Sequence, residues 1–67
     1  MNDDHAVLTT REVADLLRIH ISSIYRLIKR DSFPYFKTGG DYRFRRDAVD
    51  KWVERRTVSR DKENVKR

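Results

Sequence analysis

Ser22, Ser23, Tyr25, Arg26 and Lys29 place five hydrogen-bonding side chains within eight residues. Hydroxyls and an ammonium group bind phosphate oxygens, and a guanidinium fork matches the O6 and N7 acceptors of guanine. Lys37, Arg43 and Arg45 form a second cationic group shortly afterwards. Together they suit a polyanion surface better than a catalytic centre. There is no Cys, hence no thiolate nucleophile and no thiolate metal site. His5 and His20 have no carboxylate at ligand or general-base spacing, and Asp3-Asp4-His5 is terminal composition, not a metal site. No glycine-rich loop followed by Lys and Ser or Thr is present to cradle a phosphate. The expectation is a protein with no catalytic residues, no cofactor and no metal.

The charge distribution agrees. The net charge is +5 over 67 residues. Residues 1–17 are acidic, with Asp3, Asp4, Glu12 and Asp15 against Arg11. Residues 18–46 hold eight Lys or Arg against Asp31 and Asp41. The positive excess therefore lies in the middle of the chain, the footprint of a polyanion binder. The length allows one small domain with a modest core. No apolar run approaches the ~20 residues of a membrane span, and the polar, acidic start is not that of a signal peptide. A cytoplasmic, nucleoid-associated protein without membrane contact is expected.

Three helices are expected to position these side chains. Thr9 and Glu12 have the spacing of a capping box, and Leu8 with Val13 that of a hydrophobic staple. They start a helix over about 10–17, with Val13, Leu16 and Leu17 inward. Arg18-Ile19-His20 is a three-residue turn, with Ile19 tucked between helices and His20 a poor N-cap. A second helix follows over 21–30, with Ile21, Ile24, Leu27 and Ile28 inward and the polar set outward.

Asp31-Ser32 and Phe33-Pro34 end this helix. Gly39-Gly40 then joins two β-prone runs into a hairpin over 36–45, since a two-residue primed turn needs positive φ. Alternation is expected to put Phe36 with Phe44, and Thr38 with Tyr42, on a covered side, leaving Lys37, Arg43 and Arg45 on an exposed one. A third helix over 46–56 has Ala48, Val49, Trp52 and Val53 inward, with Trp52 as a core anchor. Residues 1–7 and 57–67 are expected to be flexible, with the domain at 8–56. The expected fold class is mainly α with a small β-hairpin: two short helices at helix-turn-helix spacing, the Gly-Gly hairpin and a third helix.

In this order and at these spacings the chain resembles the small excisionase-type DNA-binding proteins, whose winged helix-turn-helix is related to that of the MerR regulators. Leu8 to Leu17, Ser22 to Arg30, Phe33-Pro34, Phe36-Lys37, Gly39-Gly40, Tyr42-Arg43-Phe44 and Trp52 carry the resemblance. Some residues depart from the pattern. Arg18 stands for a turn glycine, His20 for a Ser cap, Ile21 for a polar or basic residue, and Asp41 for a basic residue at the wing tip.

The resemblance implies that helix 21–30 enters a major groove and hairpin 36–45 acts as the wing. Arg26 is the leading base contact. Ser22 and Ser23 bind phosphate or cap the helix, and Tyr25 reaches phosphate or covers the core edge. Lys29, Lys37, Arg43 and Arg45 contact phosphate. The function implied is sequence-specific binding of double-stranded DNA as an excisionase-like accessory factor in site-specific recombination, with a recombinase as a further partner. The chain is expected to be a monomer in solution and cooperative on DNA. The alternatives are a small transcriptional regulator on the same scaffold and, more remotely, a protein-interaction adaptor docking through the aromatic hairpin.

Overall fold

The computed structural model describes residues 6–58. In chain order they form β1 (Val7–Leu8), α1 (Thr10–Leu17), α2 (Ile21–Arg30), β2 (Phe36–Thr38), β3 (Asp41–Arg45) and α3 (Arg46–Arg56). This is a winged helix-turn-helix, mainly helical, with all three expected helices at their expected positions. The termini expected to be flexible lie, at 1–5 and 59–67, outside the described residues. No helix among the described residues is long and apolar enough to cross a membrane.

The capping box forms as its spacing requires. The Thr9 N–H donates to Glu12 Oε1 at 2.8 Å, and the Glu12 N–H donates to Thr9 Oγ1 at 3.1 Å. α1 buries Thr10, Val13 and Ala14, with Leu17 packed at the core edge, an i, i+3, i+4, i+7 stripe. Leu16, expected inward, is exposed, because it lies on the far side of Val13 from that stripe's centre.

The turn between α1 and α2 is built on Arg18, whose φ of 59° and ψ of 45° are left-handed. The Arg18 N–H donates to the Asp15 carbonyl and the Ile19 N–H to the Ala14 carbonyl. These two bonds are the Schellman pattern, which satisfies the free carbonyls of a helix end. Arg18 thus does the work of a glycine at a conformational cost of ~1–2 kcal/mol. Ile19 is not tucked between the helices but exposed. His20 begins α2 with extended backbone and no side-chain cap.

α2 ends where the Asp31 N–H donates to the Leu27 carbonyl, and Ser32 then takes a positive φ of 54°. This reversal turns Phe33 back into the protein, where it is 2% exposed. Its ring lies 5.7 Å from that of Phe44 and 4.7 Å, edge-on, from that of Trp52. Val13, Ala14, Ile24, Phe33, Phe44 and Val49 are the core. Trp52 is a partly buried buttress on its edge rather than its centre.

The sheet has three strands in the order β1-β3-β2, not two. β1 pairs antiparallel with β3, Val7 opposite Arg45 and Leu8 opposite Phe44, and the Arg46 N–H donates to the Ala6 carbonyl. Val7 is therefore part of the sheet, one residue ahead of the expected domain start. A two-stranded hairpin is marginal in water, and β1 supplies the further pairing.

The hairpin register overturns the expected faces. Thr38 pairs with Asp41, Lys37 with Tyr42 and Phe36 with Arg43. Residues opposite one another share a face. Phe36 therefore lies with Arg43 on the outer face, and Lys37 lies with Tyr42 and Phe44 on the helix side. A two-residue Gly39-Gly40 loop, with φ of 58° and 96°, permits no other pairing. Setting Phe36 beside Phe44 would shift the strands by one residue and turn every side chain over.

Candidate nucleic-acid interface

α2 supplies the centre of the site. Ser22, Tyr25, Arg26 and Lys29 are spaced i, i+3, i+4 and i+7, so they share one outward face and line one open concavity. Ile24 is fully buried on the opposite side, and Leu27 and Ile28 pack beside it, which fixes the helix rotation. Ser23 lies off this face. It joins Arg26, Ile19, Leu27, Arg30 and Asp31 around a second concavity. Arg26 borders both and is exposed, so its guanidinium can reach to either side of the helix axis. Ile21, expected in the inward stripe, is 40% exposed instead.

A row of tyrosines links α2 to the hairpin. The rings of Tyr25 and Tyr42 are 5.7 Å apart, and those of Tyr42 and Tyr35 are 5.2 Å apart. Lys37 Nζ sits 4.9 Å from the Tyr42 ring centroid. Such a cation–π contact is worth ~0.5–1 kcal/mol at an exposed site, and it directs the ammonium along the hairpin's helix side. Lys37 is thus the hairpin cation that continues the α2 surface. Tyr42 as its seat was missed in the sequence, although the two-residue loop already pairs 37 with 42.

Arg43 and Arg45 stand on the other face of the hairpin and have intramolecular partners. Arg43 Nη1 donates to the Tyr42 carbonyl at 2.8 Å, and Nη2 lies 3.9 Å from the Asp41 carboxylate. Arg45 Nη2 donates to Asp47 Oδ2 at 2.6 Å. The three hairpin cations expected on one exposed side are therefore divided, Lys37 towards α2 and the two arginines away from it. Asp41 at the tip is well exposed, its side chain retaining 72% of its accessible surface.

At the far end of α2, Arg56 closes a cluster of its own. Its guanidinium stacks 4.7 Å from the Trp52 ring centroid and lies 3.7 Å from Asp31, and the Trp52 indole N–H reaches the Asp31 carbonyl at 3.5 Å. These contacts fasten the C-terminal end of α3 to that of α2. Among the described residues no group of three His, Asp or Glu is placed to hold a metal ion.

The arrangement offers hydroxyls, a guanidinium and two ammonium groups on one continuous exposed surface, and no nucleophile paired with a base. It can bind phosphate and read base edges. Among curated proteins nothing matches the chain. The family model described as a helix-turn-helix domain matches residues 7–57, from the first residue of β1 to the residue after α3. The chain belongs to the helix-turn-helix domain family, and binding DNA is the function that goes with that membership.

Proposed function

We propose that the domain binds double-stranded DNA sequence-specifically, with α2 in the major groove and the β2–β3 hairpin reaching the neighbouring backbone as a wing. The observation that carries this reading is the shared face of Ser22, Tyr25, Arg26 and Lys29, continued onto the hairpin by Lys37. Arg26 reads a base, preferably guanine. Lys29, Lys37 and the hydroxyls of Ser22, Ser23 and Tyr25 hold phosphate. Arg43 and Arg45 add phosphate contacts from the wing's outer face, which costs them part of their present pairing with Asp41 and Asp47.

The biological role we favour is an excisionase-like accessory factor that acts beside a site-specific recombinase. A single module of this size buries only ~600–1,000 Å² on DNA. One copy then binds weakly, and copies on spaced repeats bind cooperatively, which suits a factor that shapes a recombination site. A transcriptional regulator on the same scaffold is the second reading. Footprinting across the DNA flanking the gene separates them: repeated, evenly spaced protection fits the accessory factor, and one protected site over a promoter fits the regulator.

DNA binding itself is tested by a mobility shift on random duplex DNA over a salt series. Affinity should fall steeply, with a logarithmic slope of about −0.9 for each phosphate neutralised. A flat salt profile overturns the proposal and favours the adaptor reading.

A further inference from the structure

Ile21 is the first residue of α2, and it is 40% exposed in a chain of which 40% is charged. Ile24, Leu27 and Ile28 of the same helix make or pack on the core, and Ile21 does not. It stands one helical turn before Tyr25 and next to Ser22, at the border of the face proposed to enter the groove. An aliphatic side chain there cannot donate to a base edge or neutralise a phosphate. Seated against phosphate it would strip water from a charge and return nothing. The apolar group that the major groove does present is the C5 methyl of thymine. The N-terminal part of a recognition helix is where base edges come within reach.

From this we infer that Ile21 is a specificity-determining residue that reads thymine through its C5 methyl group. The inference rests on the proposed placement of α2 in the major groove and adds the base class that its N-terminal end selects. The target site then contains a thymine near the base read by Arg26, which lies five residues further along α2. Covering one methyl group is worth about fourfold in affinity, from the usual transfer free energy of a buried methylene-sized group. Arg26 sets one position by hydrogen bonds and Ile21 sets another by shape and dryness.

The test uses the full chain and a duplex selected by it from a random pool. A second duplex of the same sequence carries deoxyuridine in place of every thymidine, which removes the methyl groups and keeps every hydrogen-bonding group. The wild-type chain should bind the uracil duplex about fourfold or more weakly. Ile21→Ala should bind both duplexes alike, at the lower affinity. Ile21→Gln, which puts a polar side chain of comparable size and good helix propensity in its place, should also lose the distinction, and a circular dichroism melt checks that both variants fold. Equal binding of the two duplexes by the wild-type chain overturns the inference and leaves DNA binding intact. So does a uracil penalty that persists in both variants. Failure to select any duplex overturns the proposed function and this inference together.

Discussion

The cations of the candidate surface differ in what they can contribute, because they differ in geometry. Arg26 is exposed between two concavities with its fork unconstrained by the core, whereas Lys29 offers a point charge on a flexible stem. Arg26→Ala should therefore cost about 1–3 kcal/mol on the preferred site and much less on random DNA. Lys29→Ala should weaken binding to all sequences alike and reduce the salt slope by about one contact. Mobility shifts on specific and random duplexes measure both, and equal behaviour of the two variants overturns the base-contact role of Arg26. Asp41 works in the opposite sense. It is exposed at the hairpin tip, where a carboxylate repels phosphate. Asp41→Asn should tighten binding at low salt by a few-fold, with the gain fading towards 0.5 M salt as the field is screened. No gain at low salt would mean that the hairpin tip does not approach DNA.

At the scale of elements, much was legible because short-range chemistry dictates it. Thr9 and Glu12 fix where α1 starts, and the i, i+3, i+4, i+7 spacing of Ser22, Tyr25, Arg26 and Lys29 fixes their common face once a helix is granted. Other features depend on long-range pairing. β1 is two residues long, too short for alternation to reveal, and exists because β3 offers an edge. Phe36 was drawn to the wrong face by its aromatic ring, although the Gly39-Gly40 loop length contains the correct register. Ile19 and Ile21 fit an inward pattern by residue type, but Ile19 lies in the turn and Ile21 directly after it, and both are exposed. The turn is also the element most open to improvement. Arg18→Gly removes a left-handed cost of ~1–2 kcal/mol while loosening the unfolded chain by about half as much. His20→Ser supplies the missing cap, worth ~1 kcal/mol. Each should raise the melting temperature by several degrees, since 1 kcal/mol corresponds to roughly 4–8 °C in a domain this small. An unchanged or lower Tm in Arg18→Gly would show that the left-handed arginine is not a strained substitute for glycine.

At the scale of the whole molecule, stability hangs on a few contacts between distant parts of the chain. Phe44 is fully buried, faces Leu8 across the β1–β3 ladder and touches the Phe33 ring, which in turn meets Trp52 of α3. It thus joins the N-terminal strand, the loop after α2 and the last helix through one side chain. Phe36 lies only one strand away but on the outer face, 38% exposed. A buried Phe→Ala change costs about 3–5 kcal/mol, and a single core of this size seldom supplies more than ~3–5 kcal/mol in total. Phe44→Ala should therefore lose its cooperative thermal transition near room temperature. Phe36→Ala should keep it, with a loss below about 1 kcal/mol. Circular dichroism melts of the two variants read this contrast directly. Equal losses would place both rings in the core, which the 37–42 pairing forbids, and would put Lys37 on the same face as Arg43. The same pair of melts thus tests the hairpin register and, through it, which hairpin cation extends the α2 surface.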